Sequence, residues 1–262
     1  SSQQRLLFGF RFDAVRMEDA VESCRRALAT RRRMMIGVLN AGKIVACRED
    51  RVLRASLLDC DMLLADGQSI VWASRLLGRP LPERVTGIDL FEHLLELAHD
   101  GGKAVYLLGA RPDVLARLEA ALRRRWPGLL IAGSRHGYFD PADGEGVASE
   151  IRASGADMLF IGMTTPRKEL FLGRFGPTLN VPVMHGVGGS FDVFAGETRR
   201  APVAWRKIGM EWAYRVVQEP RRLWWRYLRT NTVFLFLTAL ELLHPARSLD
   251  RPGVEPRSAS LP

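Results

Sequence analysis

Three features of this chain have the chemistry to handle a phosphate-bearing substrate: a carboxylate after a buried apolar run, glycine-rich turns, and a dense group of arginines. Asp66 follows Met62–Ala65 and precedes Gly67. A carboxylate there can act as a general base if its neighbours tune it. Capping the next helix is the other reading of the same position. The turn Gly186-Val187-Gly188-Gly189-Ser190-Phe191-Asp192 offers backbone N–H groups to an anion, or is simply a tight turn. It contains neither G-x-G-x-x-G nor G-x-x-x-x-G-K-[ST]. Residues 199–229 hold nine Lys and Arg against two acids, Glu211 and Glu219, with four of the six tryptophans. Arginine mixed with tryptophan, followed by the apolar run 233–243, suggests a surface that sits on anionic lipid.

Other polar residues admit both a structural and a functional reading. Asp89 reads as a helix cap before a catalyst. Asp192 suits a sugar hydroxyl or a structural turn. Lys168 and Glu169 open a helix after Pro166, where glutamate ordinarily complements the helix dipole. His136 and His185 lack metal-ligand spacing and read as structural. Cys47 has no visible base partner, so a thiol nucleophile is not expected.

These groups need a scaffold. Residues 6–12 read as a strand and 18–31 as a helix, with Val21, Cys24 and Leu28 on one face. Met34–Leu39 is a strand, and a helix is expected from Asn40-Ala41-Gly42 to about Asp50. Met62–Ala65 is another strand, followed by a helix over 69–77 that closes at Gly78 and Pro80. Asp89 is expected to cap a helix over 90–99. Strands over 104–108, 129–132, 158–161 and 181–185 then alternate with helices over 112–125, 145–153 and from Arg167. This rhythm predicts an α/β fold: a parallel Rossmann-like sheet flanked by helices, followed by a helical C-terminal appendage. Such sheets bind ligands at the carboxyl ends of their strands. The turns at Asn40, Asp66, 162–169 and 186–192 all fall there. Strand signals stop after Gly186, and 205–243 reads as helix broken at Pro220. The expected units are a catalytic domain over 1–196, a basic membrane-associating appendage over 197–245, and a disordered tail over 246–262.

Composition narrows the partners. A net charge of +9 and a pI near 10.2 favour anionic ones, and 47% hydrophobic residues exclude a disordered chain. The odd count of three cysteines, without C-x-x-C spacing, predicts free thiols. No run approaches the roughly 20 apolar residues of a membrane span, and the first residues show no signal pattern. A cytoplasmic protein peripheral to a membrane is expected. A nucleic-acid-binding module and a purely structural peripheral protein are the rivals from other classes.

At these loops the sequence resembles the WecG/TagA/CpsF glycosyltransferase family of bacterial surface-polysaccharide synthesis, over about residues 6–240. The resemblance is carried by separated motifs in order: Leu39-Asn40-Ala41, Ala65-Asp66-Gly67, Arg84-Val85-Thr86-Gly87-Ile88-Asp89-Leu90, Tyr106-Leu107-Leu108-Gly109, His136-Gly137-Tyr138-Phe139, Pro166-Arg167-Lys168-Glu169, the 186–192 turn, Arg200-Ala201-Pro202, Gly209-Met210-Glu211-Trp212 and Glu219-Pro220-Arg221-Arg222. It implies inverting transfer, without metal or cofactor, from a UDP-sugar to a saccharide on polyprenyl diphosphate, at the cytoplasmic face of the inner membrane. Asp66 matches the family's proposed base. Asn40 and Gln68 would be polar groups of the pocket, and Gly188, Gly189 and Asp192 would hold the nucleotide or its sugar. Asp89, Lys168 and Glu169 complete the implied binding set. Arg200, Arg215, Arg221 and Arg222 would bind phosphate, a task that suits the planar, always-charged guanidinium. Nucleic acid is not an implied partner, and self-association is left open.

Two positions depart from the pattern. Many members carry threonine where Val38 stands, and the common Pro-Lys-Gln-Glu reads Pro166-Arg167-Lys168-Glu169 here. Residues 38–43 and 210–215 most resemble the branch building xanthan- or acetan-type polymers, which adds glucose in β-1,4 linkage to glucosyl diphospho-polyprenol. Transfer of N-acetylmannosamine or its uronic acid to lipid-linked N-acetylglucosamine is the alternative.

Overall fold

A computed structural model describes residues 3–244 other than 208 and 219, and excludes the side chains of Arg206, Lys207, Arg215, Gln218, Arg222 and Arg226. A hairpin of β1 (Gln4–Leu7) and β2 (Phe10–Asp13) precedes α1 (Met17–Thr30). Next come β3 (Met34–Leu39), α2 (Ala41–Ala46), α3 (Arg51–Leu58), β4 (Met62–Ala65), α4 (Gln68–Leu76), α5 (Gly87–Asp100) and β5 (Ala104–Gly109). They are followed by α6 (Pro112–Arg125), β6 (Leu130–Arg135), α7 (Gly144–Ala153), β7 (Met158–Gly162), α8 (Arg167–Phe175), β8 (Val183–Gly186) and α9 (Ser190–Phe194). Three further helices follow: α10 (Val203–Lys207), α11 (Glu211–Gln218) and α12 (Pro220–Leu243).

Six strands form one parallel sheet in the order β4-β3-β8-β7-β5-β6. Because parallel strands are covered on both faces, they are apolar almost throughout. Ile36 and Val38 of β3 pack with α1 and α5 on one face, and Met35 and Leu39 turn to the other. On that second face α2, α3 and α4 lie over Leu39, Leu63 and Ala65, while α7 and α8 lie over Tyr106, Leu108, Leu159 and Ile161. Each such buried side chain contributes about 1.5–3 kcal/mol relative to exposure. A slip of one residue would move Ile36 and Val38 from the α1–α5 face to the opposite one, where different side chains are packed, so packing fixes the register. The expected α/β sheet with flanking helices is therefore the fold present.

Topology locates the binding crevice. From β3 the chain moves outward to β4, crosses to β5 and β6 at the far edge, and returns through β7 to β8 beside β3. The direction of winding reverses between β3 and β8, the place at which open parallel sheets bind ligands.

Several local expectations need correction. The strand expected over 6–12 is a hairpin, because Phe8 and Gly9 both take positive φ (53° and 77°) and reverse the chain. The helix expected to run to Asp50 stops at Ala46. Asp50 caps a separate helix instead, its side chain accepting from Val52 N and Leu53 N. Asp89 does not cap α5. Thr86 does, accepting from Asp89 N at 3.2 Å, and α5 starts at Gly87. β6 extends to Arg135, and β8 begins at Val183.

The last helix packs on the body of the fold. α12 runs along α2. It buries Phe234 with Leu39, Ala65 and Phe10, and the Phe8 and Phe234 rings lie 5.1 Å apart. Its polar residues Thr238 and Glu241 also point inward, Glu241 bonding Arg79 at 3.2 Å. Leu235, Phe236, Leu242 and Leu243 face outward, as do Trp224 and Trp225. No described helix is long and apolar enough to cross a membrane. The tail expected over 246–262 lies outside the described residues.

Candidate active site

Adjacent strands bring the first site residues together. Leu39 and Ala65 are the last paired residues of β3 and β4, so Asn40 and Asp66 leave the sheet side by side. Asp66 N donates to Leu39 O at 2.8 Å, which extends the ladder by one bond. The Asp66 side chain does not cap α4, whose N-cap is Gly67. Instead Asp66 Oδ1 accepts from Gly87 N at 3.1 Å, at the amino end of α5. That helix end carries partial positive charge and favours the carboxylate.

The charges around Asp66 pull in opposite directions. Burial dominates and raises its pKa above the usual aspartate range. Lys43, the Gly87 amide and Arg84 pull it down, and Glu211 pushes it up. A carboxylate whose pKa is raised is a stronger base, when ionised, than an ordinary one.

Asn40 and Gln68 frame this carboxylate. Asn40 Oδ1 caps α2 by accepting from Lys43 N at 3.0 Å. Gln68 opens α4 and packs under Gly209, where an added Cβ would lie only 2.4 Å from Gln68 Cγ. Gly209 has φ +74°, so this close approach needs glycine on both counts. Two residues on, Glu211 comes within 3.5 Å of Arg84 and 3.8 Å of Arg200. Arg200 Nη2 donates to Asp89 Oδ1 at 2.6 Å, and Thr86 Oγ1 bonds the other Asp89 oxygen. Arg200 and Asp89 are thus linked to Arg84, Thr86 and Glu211, Gln68 meets this group through Gly209, and Asn40 and Asp66 adjoin through the β3–β4 ladder.

A second group lies under the glycine turn. Glu169 Oε1 sits 2.9 Å from Lys43 Nζ and 3.0 Å from Lys168 Nζ. Lys43 Nζ also donates to Val38 O at 2.6 Å, and Lys168 Nζ to Thr165 Oγ1 at 2.6 Å. Burial and then Lys43 lower Lys168 to about 8. Burial alone would raise Glu169, but Lys43 and Lys168 outweigh it and hold the carboxyl at about 2. Glu169 Oε2 is buried and has no hydrogen-bond partner.

The turn itself is anchored by Val187 N and Gly188 N, which both donate to Ile161 O. Gly188 takes φ +55°, and an added Cβ there would lie 3.8 Å from Lys168 Nζ. Lys168 therefore lies against the turn, paired internally. Gly189 is exposed and Asp192 half-buried on α9. Burial and then Glu197 raise the Asp192 pKa, and Arg111 opposes them. Among the described contacts none joins Gly189 or Asp192 to Asp66.

The remaining arginines are less defined. Arg221 is exposed in the first turn of α12 and shares no described contact with the Asp66 group. The side chains of Arg215 and Arg222 lie outside the described residues. His185 is fully buried, donates from Nε2 to Gly87 O at 3.0 Å, and is held neutral with a pKa lowered to about 4 by burial. Burial also pushes the Cys24, Cys47 and Cys60 thiols up to about 12. No group of three or more His, Cys, Asp or Glu among the described residues is arranged to hold a metal.

Sequence reasoning did not single out Lys43, Arg84, Thr86 or Glu211 as site residues. Lys43 follows a helix-capping asparagine by three residues, which is a usable local signal. Arg84 and Glu211 meet only through the tertiary fold, and nothing in either neighbourhood announces the pairing.

A family model described as the glycosyl transferase WecG/TagA/CpsF family matches residues 5–248. The chain belongs to this family and is a glycosyltransferase.

The buried charge cluster generates a stability prediction. Glu169 has an ordinary value of 4.5 and a folded value of about 2. Its stabilisation is complete above 4.5 and is lost as pH falls toward 2. Glu169→Gln should cost about 3–5 kcal/mol at neutral pH by urea denaturation, because two buried ammonium groups lose their counter-charge. It should also flatten the fall in stability across that acid window. Parallel acid profiles for the two proteins would show that Glu169 is not held low.

Proposed function

We propose that this glycosyltransferase moves glucose from UDP-glucose to glucosyl-diphospho-polyprenol with inversion, forming a β-1,4 linkage in exopolysaccharide repeat-unit assembly. The observation that carries the reading is the setting of Asp66. It lies at the carboxyl end of β4, fixed by the Gly87 amide, with Lys43 and Arg84 acting on it. In the proposed step the acceptor hydroxyl oxygen attacks the anomeric carbon of the donor, and Asp66 takes the hydroxyl proton. The bond from the anomeric carbon to the UDP oxygen breaks, and its electron pair leaves with UDP. A single displacement of this kind inverts the anomeric centre.

Charge developing on UDP must be offset as that bond breaks. In our reading Arg200, Arg215, Arg221 and Arg222 do so, together with the amides of the Gly188–Gly189 turn, and no metal takes part. Asn40, Gln68, Asp89, Lys168, Glu169 and Asp192 line or support the donor and acceptor pockets. Glucose is favoured by the resemblance of residues 38–43 and 210–215 to the xanthan- and acetan-type branch.

We further propose that residues 197–245 act as a basic lid unit seated on the cytoplasmic face of the inner membrane. Support comes from Trp224, Trp225, Leu235, Phe236, Leu242 and Leu243, which all face outward, in a segment rich in arginine. Arginine and tryptophan together favour an anionic lipid interface.

Asp66→Asn should lower turnover by about 10²–10⁴-fold while circular dichroism shows an intact fold. Retained turnover would remove Asp66 as base. In the same assay EDTA should leave the wild-type rate unchanged. UDP-glucose and UDP-N-acetylmannosamine, offered with lipid-linked glucose and lipid-linked N-acetylglucosamine and read by product mass, should give product only for the glucose pair. Replacing Trp224 and Trp225 with serine should release the protein from anionic vesicles in a flotation assay without lowering Tm. Continued flotation would rule out this face as the anchor.

A further inference from the structure

His185 is a polar ring in an apolar layer. It sits on β8 in register with Ile36 of β3 and Phe160 of β7, whose side chains belong to the core that includes α1 and α5. The ring is fully buried. Burial is the main cause of a pKa lowered to about 4; the bond to Gly87 opposes it, and Lys43 and Lys168 add to it. At neutral pH the imidazole is therefore uncharged and carries one N–H. A carbonyl can only accept, so that proton is on Nε2, 3.0 Å from Gly87 O. Burying such a ring is costly unless its polar atoms are used. Here the donor is spent on one particular carbonyl.

Gly87 is the first residue of α5, and its N–H is one of the donors that a helix leaves without an internal partner. Asp66 Oδ1 accepts from that N–H at 3.1 Å. Glycine has the widest backbone freedom of any residue, so a helix that opens on glycine holds its first amide loosely unless the residue is fixed elsewhere. Gly87 is packed between Val38 and His185: an added Cβ would lie 3.5 Å from Val38 Cγ2 and 3.7 Å from His185 Nε2. One residue is thus held at its carbonyl by His185 and gives its amide to Asp66.

We propose that His185 is a positioning residue for Asp66: its Nε2–H fixes the Gly87 carbonyl and so keeps the Gly87 amide on the carboxylate. This rests on the reading of Asp66 as the base. His185 itself touches no substrate and moves no proton. Asp66 also feels Lys43 from α2, Arg84 from the segment before α5, Lys168 from α8 and Glu211 from α11. A change at 185 leaves those charges in place, so the contribution of the amide can be read separately. Without the Gly87 N–H the ionised carboxylate loses a donor that favours it, and its aim at the acceptor hydroxyl is relaxed.

The test follows Asp66 directly, by carbon-13 NMR titration of the aspartate carboxyl groups in the full chain. The Asp66 signal is the one lost in Asp66→Asn. His185→Phe keeps a ring of similar size and removes the donor, and in it Asp66 should titrate at higher pH than in the wild type. His185→Gln keeps an N–H and should bring the titration back. In turnover the Phe variant should lose about 10²-fold in kcat at unchanged KM for the UDP-sugar, and the Gln variant should recover most of the loss. A folded Phe variant with a wild-type Asp66 titration overturns the proposal, as does a folded Gln variant no better than Phe. If neither variant folds, the wild type decides. Nitrogen-15 spectra of its five histidines should show His185 protonated at Nε2, and the Gly87 amide should shift as Asp66 titrates. A proton on Nδ1, or a Gly87 amide indifferent to Asp66, overturns the proposal. Wild-type turnover in Asp66→Asn alongside the expected titrations would sink the base and leave the link from His185 through Gly87 to Asp66 standing.

Discussion

One buried ammonium group ties the crevice together. Moving Lys43 Nζ out of water costs several kcal/mol unless charge and hydrogen bonds compensate. The Val38 carbonyl and Glu169 supply that compensation. These contacts connect the end of β3 to the start of α8, and so span the point where the sheet reverses direction. The same positive charge reaches Asp66, Lys168 and His185, and biases each of them. It opposes the rise that burial imposes on Asp66, and it adds to the lowering that burial imposes on His185. A short helix of six residues, α2, holds the ammonium in place through its Asn40 cap. The electrostatics of Asp66 therefore depend on a helix cap one strand away.

The scaffold was largely legible in the sequence because parallel strands bury both faces. Runs such as Met62–Ala65 admit few polar residues, so a carboxylate directly after one marks a strand end. The glycine turn after β8 stood out for the same reason. Other features resisted reading where two local signals competed. Thr86 and Asp89 lie three residues apart and either can start a helix; the hydroxyl took the cap and the carboxylate took Arg200. Phe8 at positive φ is a conformation that phenylalanine rarely adopts, so only Gly9 marked the hairpin in residue type. The Arg84–Glu211 contact and the seating of Gly209 on Gln68 are tertiary, and no periodicity encodes them.

The final helix is apolar on both sides. Leu223 and Phe234 are buried and Leu237 packs against the core, together with the buried polar residues Thr238 and Glu241, the last matched to Arg79. Large apolar side chains also face away from the body of the protein. In water that outward face is costly to expose. The helix is nevertheless held by its inner face alone, so the outer face is free to meet a second medium. In the proposed membrane-seated arrangement, one helix would belong to the core and to an interface at once.

The three cysteines have a practical consequence. Their thiols are held protonated by burial, and the thiolate is the form that reacts with maleimides and methanethiosulfonates. A single cysteine introduced on the outer side of α11 would therefore be the preferred attachment point for a nitroxide or a fluorophore in the otherwise native chain. The position of α11 relative to the sheet can then be followed spectroscopically, without first rebuilding the interior around three replaced sulfurs.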